Sequence, residues 1–156
     1  MMEIKFTKEQ YDSLIKLVYL GNWMINSIRD DGKEIKKYND VEQYIYSFAK
    51  EFGLDSLVEY DTQMKRYYPA WELDDNPEVE PYRQDYENEV FWDELTNRLA
   101  RQDFVRHYGE KTIRKMGQKE HFEKLYPFIE KYEEEFYKHG IERLRIKQQI
   151  EDENDL

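Results

Sequence analysis

The sequence predicts an all-α protein, folded as a single-domain bundle of four to five helices. Three observations predict this class. Apolar residues recur at helical spacing in four segments, capping residues precede the first two segments, and a glycine follows each segment. The predicted domain covers residues 1–150, and residues 151–156 (EDENDL) form a frayed acidic tail.

The composition indicates a folded chain rather than a disordered one. The chain has 156 residues, of which 38% are charged and 16% are aromatic, including 14 Tyr. Disordered chains are also rich in charge, but they contain few aromatic residues because they bury little apolar area. A chain of this length can build a core without disulfides or metal ions.

The net charge restricts the classes of partner. The chain carries a formal charge of −11 at pH 7. Such a field repels nucleic acid and anionic membrane surfaces, so we expect neither direct nucleic-acid binding nor membrane association. The expected partner is another protein or a second copy of the chain.

The cysteine count and the hydropathy pattern predict a cytoplasmic protein. The chain has no cysteine, which excludes disulfides, thiol nucleophiles and cysteine-ligated metal centres. The first ten residues lack the apolar stretch of a secretory signal, and the longest uncharged run, residues 17–28, is too short to cross a bilayer of about 30 Å as a helix.

The first predicted helix has a clear beginning. Thr7 and Gln10 have the spacing of a capping box, in which each side chain bonds to the backbone of the other. Residues 11–28 are apolar around most of the helix circumference, which is typical of a central helix. We expect the helix to end near Asp31, with Gly32 in the left-handed conformation.

Gly21 lies in the middle of this helix. Glycine destabilises a helix interior by roughly 1 kcal/mol relative to alanine, so its presence needs a reason. Two explanations stay open from the sequence: close approach by another helix, or a pocket for a small molecule.

The second helix is predicted from Asn39 and Glu42, which have the spacing of another capping signal. The apolar residues that follow recur at i, i+3, i+4 and i+7. Gly53 should end the helix, and Leu54 should fold back onto Ala49 in a Schellman contact.

Residues 61–81 interrupt the helical pattern. Three prolines fall between residues 67 and 81, together with several carboxylates, so a proline-containing acidic loop is predicted between the second and third helices. Tyr67, Tyr68 and Trp71 lie in this loop, and we expect them to pack it against the bundle or to form an interface.

Two long helices are predicted in the second half of the chain. The third runs from Pro81 to Tyr108, and the fourth runs from about Gln118 to Gly140, with Pro127 bending it. Residues 141–150 are compatible with either a last helix or a short strand. Both long helices end at a glycine.

Common catalytic signatures are absent. The sequence has no glycine-rich phosphate loop, no nucleophile elbow and no HExxH motif, and it has only six glycines. These absences favour a non-catalytic protein that needs no cofactor.

One pattern could nevertheless bind a metal ion. In LARQDFVRH (99–107), Asp103 and His107 are neighbours on a helix, and Glu135 and His139 repeat this spacing. Two such pairs on antiparallel helices could converge on one metal ion. Three more residues of the third helix project to the same side: Asp85, Glu89 and Thr96.

Simpler explanations exist for the same residues. Arg101 and Arg106 could pair with Asp103, and His139 lies in the last helical turn, where the helix dipole favours a cation. A structural ion pair therefore stays open beside the metal site.

Three functions follow as hypotheses. The first is a non-catalytic protein-interaction module with an acidic surface, which binds a protein partner or a second copy. The second is a metal-dependent enzyme of the helical-bundle type that uses the Asp/His pairs. The third is an acidic mimic of nucleic acid that binds a basic protein.

Overall fold

A computed structural model of the protein describes residues 4–30 and 32–145. These residues are mostly helical, so the predicted helical class is confirmed, but they also contain a two-stranded sheet that the sequence did not indicate. No helix in this part of the chain is long and apolar enough to cross a membrane. In chain order the elements are α1 (Lys8–Asn26), α2 (Lys36–Tyr46), a 3-10 turn (Asp55–Leu57), β1 (Val58–Asp61), β2 (Arg66–Pro69), α3 (Trp71–Asp74), α4 (Glu80–Tyr108), α5 (Glu110–Ile113) and α6 (Gln118–His139).

Residue contacts group the chain into two compact units, Met1–Tyr86 (unit 1) and Glu87–Leu156 (unit 2). Each unit has its own apolar core. The single-domain bundle of four to five helices stays a prediction. The tail at residues 151–156 lies outside the described residues.

The core of unit 1 forms around one face of α1. Tyr11, Ile15 and Tyr19 are spaced by four residues, so they lie on the same side of the helix, and each is at most 5% exposed. The other buried members of this core are Tyr46, Ala49, Leu57, Val58, Leu73 and Val79.

Three tyrosines in this core keep their hydroxyl groups satisfied. Tyr11 donates to the carbonyl oxygen of Ile45, and Tyr19 donates to Oδ1 of Asp74 at 2.6 Å. The hydroxyl of Tyr46 donates to Oε1 of Glu42 at 3.2 Å. The phenol rings therefore fill the core without leaving a buried donor unpaired.

The beginning of α1 is as predicted, but its end is not. The capping box is confirmed: Oγ1 of Thr7 accepts from the Gln10 amide at 3.2 Å, and the Thr7 amide donates to Oε1 of Gln10 at 2.9 Å. The helix ends at Asn26, five residues before the predicted stop at Asp31, which lies outside the described residues. Gly32 adopts the expected positive φ of 80°.

The side chain of Asn26 explains the early end of α1. Its Oδ1 accepts from the backbone amide of Ile35 at 2.8 Å, and its Nδ2 donates to Asn22 and Asn39. Ile35 is the N-cap residue of α2, so Asn26 satisfies an amide that the first turn of α2 leaves free. The buried amide group therefore joins the end of one helix to the start of the next.

Contrary to prediction, α1 is not a central helix. Leu17 and Met24 are 66% and 53% exposed, although the opposite side of α1 is buried, and Ile28, in the turn after the helix, is 86% exposed. The apolar residues of α1 therefore lie on two sides of the helix. One side packs in the core of unit 1, and the other is exposed.

The second helix begins and ends earlier than predicted. It starts at Lys36, and Asn39, the predicted capping residue, instead accepts a hydrogen bond from Asn26. Turns replace the last predicted helical residues. The predicted return of Leu54 onto Ala49 is confirmed, because the Leu54 amide donates to the Ala49 carbonyl oxygen at 2.9 Å, after Gly53 with φ of 66°.

Part of the predicted proline-containing loop is a β-hairpin. β1 and β2 pair antiparallel, with Val58 opposite Pro69 and Tyr60 opposite Tyr67. In the connecting turn, Oδ1 of Asp61 accepts from two backbone amides. The short helix α3 follows, so an irregular loop from residue 61 to 81 was a wrong expectation.

Unit 2 contains an antiparallel helical pair. Trp92 of α4 packs on Phe136 of α6 with ring centroids 5.6 Å apart, and Phe104 packs on Phe128 at 5.7 Å. Because later residues of α4 meet earlier residues of α6, the two helices run in opposite directions. Both end as predicted, at Tyr108 and His139. Each is followed by a glycine with positive φ.

Candidate binding groove

A groove of about 440 Å³ lies between α4 and α6 in unit 2. Each helix contributes residues at i, i+3 and i+4, which is the spacing of a single helix face. We call this site the α4–α6 groove. Its lining residues are Glu89, Trp92, Asp93 and Thr96 from α4, and Glu133, Phe136 and Tyr137 from α6.

Aromatic rings form the apolar part of the groove. Trp92 contacts Phe136, and its ring also meets the edge of Phe91 with centroids 5.0 Å apart. The Trp92 indole is oriented by a hydrogen bond from Nε1 to Oδ1 of Asn88 at 3.2 Å. Tyr137, at the side of the groove, is 92% exposed, so its ring is free to contact a ligand.

Three carboxylates line the same groove: those of Glu89, Asp93 and Glu133. Among the described residues, none of the three forms an ion pair with Lys, Arg or His, and Asp93 accepts only from Asn97. Their neighbours on the same helices are paired within one turn: Glu94 with Arg98 at 2.9 Å, and Glu134 with Lys138 at 3.1 Å. The carboxylates of the groove are thus uncompensated by cations of the described chain.

Thr96 lies at the inner side of the groove. The residue is only 6% exposed, and its hydroxyl has no hydrogen-bond partner among the described residues. Thr96 therefore offers one directed hydrogen bond to a group that enters the groove.

Together these features suit a cationic ligand. Ammonium and guanidinium groups bind over aromatic faces and pair with carboxylates, and an arginine can bond to one carboxylate with two N–H groups. The groove offers both kinds of contact within one turn of each helix. Its lining contains no histidine, serine or cysteine.

Asp103, the first predicted metal ligand, has protein partners instead. Its carboxylate accepts from the Tyr132 hydroxyl at 2.7 Å and from Nζ of Lys131 at 2.9 Å, and it pairs with Arg106 at 3.4 Å. The hydrogen bonds from Tyr132 and Lys131 hold the pKa of Asp103 below its usual value. Asp103 therefore forms the ion pair with Arg106 that the sequence allowed as the simpler explanation.

The four predicted metal ligands do not form one cluster. The ring of His107 lies 5.8 Å from that of Phe128, whereas His139 is about 16 Å farther along the axis of α6 at about 1.5 Å per residue. Glu135 pairs with Arg143 at 3.3 Å. Within the part of the chain that the structure describes, no group of three or more His, Asp or Glu side chains could hold a metal ion.

The three predicted interface residues lie in unit 1 and do not share one face. Tyr67 faces the core from β2, and both polar atoms of its backbone bond to the side chain of Gln43. Tyr68 points to the opposite side of the hairpin and is 40% exposed, and Trp71 is 72% exposed at the start of α3. Tyr68 and Trp71 stay proposed contact residues.

Sequence reasoning found part of the α4–α6 groove. Glu89 and Thr96 were placed on one side of α4, but together with Asp103 and His107, which lie outside the groove. Asp93 and the groove residues of α6 were missed. The i, i+3, i+4 repeat of acidic and aromatic residues on two helices was a usable signal, but the register between the helices was not visible in the sequence.

The chain matches no protein-family model, and no similar protein was found in comparisons with curated proteins and with solved structures.

Proposed function

We propose that the protein is a non-catalytic interaction module that binds a basic segment of a partner protein in the α4–α6 groove. One observation carries this proposal: three carboxylates without ion-pair partners lie beside the aromatic rings of one groove. The net charge of −11 adds long-range attraction for a basic partner.

The ligand class follows from the chemistry of the lining. A lysine or arginine side chain of the partner would place its charge among Glu89, Asp93 and Glu133, and its methylene groups against Trp92. Each exposed ion pair contributes only about 0.5 kcal/mol, so three pairs contribute about 1.5 kcal/mol, or about tenfold in affinity. Contact with the rings of Trp92 and Tyr137 adds to this.

The aromatic rings favour this proposal over an acidic mimic of nucleic acid. A mimic depends on carboxylates spaced like phosphates, and its affinity falls steeply with salt. In the groove, Trp92, Phe136 and Tyr137 supply contacts that salt does not weaken. The two functions therefore differ in the salt dependence of binding.

The test is a peptide titration. A fluorescein-labelled peptide of alternating arginine and glycine is titrated with the full chain, and anisotropy gives the dissociation constant. We expect the triple variant Glu89→Gln, Asp93→Asn, Glu133→Gln to raise that constant about tenfold. Trp92→Leu should weaken binding at high salt as well as at low salt.

A matched control separates the groove from the net charge. The triple variant Glu94→Gln, Glu130→Gln, Glu134→Gln removes the same charge from the same two helices but leaves the groove intact. We expect its dissociation constant to change less than about threefold. Equal weakening by the two triple variants would show that binding follows the overall charge, and the proposed site would be wrong.

A further inference from the structure

One face of α1 is exposed and carries no charge. Leu17 and Met24 are 66% and 53% exposed, and Ile28, in the turn after the helix, is 86% exposed. We call this surface the α1 face. Its residues are Ser13, Leu17, Leu20, Gly21, Met24 and Ile28, all within about 60° of Leu17 at about 100° per residue.

Gly21 lies at the centre of the α1 face, and no contact within the described chain explains why this position is a glycine. Its φ is not positive, so no turn requires glycine, and a Cβ built there meets no atom within 4 Å. Glycine is the least favourable helix residue after proline. The close approach by another helix that the sequence suggested is not made by any described residue, which leaves room for a backbone from another molecule.

A groove continues the α1 face on one side. Leu17 and Leu20 line it together with Pro77, Pro81 and Tyr82, and its volume is about 490 Å³. Its two charged lining residues, Lys16 and Glu78, form an ion pair with each other. Tyr82 is 69% exposed. The exposed apolar surface of unit 1 is therefore wider than one helix.

We propose that a second copy of the chain docks on the α1 face, with the two α1 helices antiparallel across a two-fold axis. Residues close to such an axis lie near their own copies, so a charge there would meet a like charge. The α1 face has no charged residue, although 38% of the chain is charged and the net charge is −11. A basic partner would need unpaired carboxylates, but the α1 face has none, and the Glu78 carboxylate in the adjoining groove pairs with Lys16.

The spacing of the α1 face also fits antiparallel pairing. With the axis between Leu20 and Gly21, Leu20 lies level with Gly21 of the second copy, and Leu17 lies level with Met24 of that copy. Ser13 lies level with Ile28 in the same arrangement. Small residues therefore meet large ones at two levels, as close packing of two helices requires.

The accessible area is adequate for a moderate dimer. The exposed parts of Leu17, Met24, Ile28 and Tyr82 present on the order of 500 Å² of apolar surface. A standard interface buries about 800 Å² on each partner. With the rest of the groove the α1 face lies at the lower end of the standard range, so we expect a weak dimer with a dissociation constant in the micromolar range.

Sedimentation equilibrium of the full chain from about 1 to about 200 µM tests this proposal. Leu17→Glu places a charge near the axis, and Gly21→Leu blocks the close approach while it favours the helix of the monomer. We expect each to raise the dimer dissociation constant at least tenfold. Met64→Glu is the matched control, since Met64 is 65% exposed on the hairpin turn and lies outside the α1 face.

Cross-linking gives a second readout. Since the chain has no cysteine, Gly21→Cys introduces a single thiol close to the proposed axis. A disulfide forms only when the two Cα atoms come within about 7 Å, so we expect rapid oxidation to a covalent dimer, and slow oxidation of Met64→Cys.

Two outcomes would overturn the proposal: a monomer over the whole concentration range, or a dimer that neither Leu17→Glu nor Gly21→Leu weakens. Binding of the arginine–glycine peptide by Leu17→Glu separates the two proposals. If that variant binds the peptide normally but the wild type does not dimerise, only the proposal for the α1 face fails.

Discussion

Replacing Tyr132 with phenylalanine should lower the free energy of unfolding by about 1.5 to 2 kcal/mol. The Tyr132 hydroxyl donates to Oδ2 of Asp103 at 2.7 Å, and hydrogen bonds to charged groups contribute about 1.5–3 kcal/mol. The Asp103 side chain is 22% exposed, so water replaces part of this energy and the lower half of the range applies.

A double-mutant cycle isolates this contact. Tyr132→Phe, Asp103→Ala and the double variant are unfolded in urea at pH 7, and we expect a coupling free energy of about 1 kcal/mol. The control cycle pairs Asp103→Ala with Tyr126→Phe. Tyr126 lies on the same helix, and its hydroxyl has no hydrogen-bond partner among the described residues, so this coupling should stay within about 0.3–0.5 kcal/mol of zero.

The pH dependence of the coupling tests which groups act on Asp103. Hydrogen bonds from Tyr132 and Lys131 lower the pKa of Asp103, so its stabilising contribution persists at every pH above the unfolded value of about 3.9. It is lost only as the pH falls below that value and through the lower folded pKa. A coupling near zero, or one lost between about pH 7 and pH 5, where histidine titrates, would refute the assigned partners.

Three further predictions concern stability. Phe104→Ala, at a side chain 2% exposed in the core of unit 2, should lower the free energy of unfolding by about 3–5 kcal/mol in urea titrations. Lys65→Gly should raise the melting temperature, because Lys65 has φ of 53° and relief of this left-handed backbone is worth about 1 kcal/mol; a lower melting temperature would contradict this. Burial raises the pKa of Glu42, so its carboxyl stabilises the fold below the unfolded pKa of about 4.3 and loses that contribution as the pH rises through the folded value. Glu42→Gln should therefore stabilise the protein at pH 7 and not at pH 4, as measured by urea unfolding at both pH values.

Helix ends that depend on local residues were predictable from the sequence. Thr7 and Gln10 form the capping box, and Gly53, Gly109 and Gly140 all take positive φ where the chain leaves a helix or its last turn. These features depend on backbone preferences within three or four residues, which a single sequence displays directly.

Boundaries that depend on distant partners were not predictable. Asn26 ends α1 and holds the first turn of α2 through the amide of Ile35, nine residues away. The spacing of Asn39 and Glu42 resembled a cap, but Asn39 bonds to Asn26 and the Glu42 carboxylate accepts from the Tyr46 hydroxyl. A polar side chain can either cap a nearby helix or bond to a distant residue, and the sequence does not show which of the two bonds forms in the folded protein.

The hairpin was missed because proline and acidic residues dominated residues 61–81. Gln43, on α2, accepts from the backbone amide of Tyr67 and donates to its carbonyl oxygen, at 2.7 and 2.8 Å. β2 is therefore held by a helix as well as by β1. The alternation of apolar residues from Val58 to Tyr60 was too short to outweigh the local signals.

The candidate site was only partly visible for a related reason. Helical spacing placed Glu89 and Thr96 together on α4, but it could not show which part of α6 lies opposite. The register between α4 and α6 places Glu133 in the lining of the groove, whereas it brings the Tyr132 hydroxyl within hydrogen-bond distance of Asp103. Two residues adjacent in the sequence thus belong to different sites, one a proposed binding groove and the other a structural contact.

The buried phenols of unit 1 set an alkaline limit to its fold. Burial raises the pKa of Tyr11 to about 12 and also raises the pKa values of Tyr19 and Tyr46. In an unfolded chain all three would ionise near pH 10. Between pH 10 and about pH 12, each phenol therefore favours unfolding by about 1.4 kcal/mol per pH unit, and the three together by about 4 kcal/mol per unit.

A domain of ordinary stability, about 5–15 kcal/mol, would unfold within a few pH units because of this destabilisation by the three phenols. In strong base the ionisation of these buried phenols, measured as phenolate absorbance, should therefore coincide with the loss of helical circular dichroism. Tyrosine thus gives this core a sensitivity to base that phenylalanine at the same positions would not.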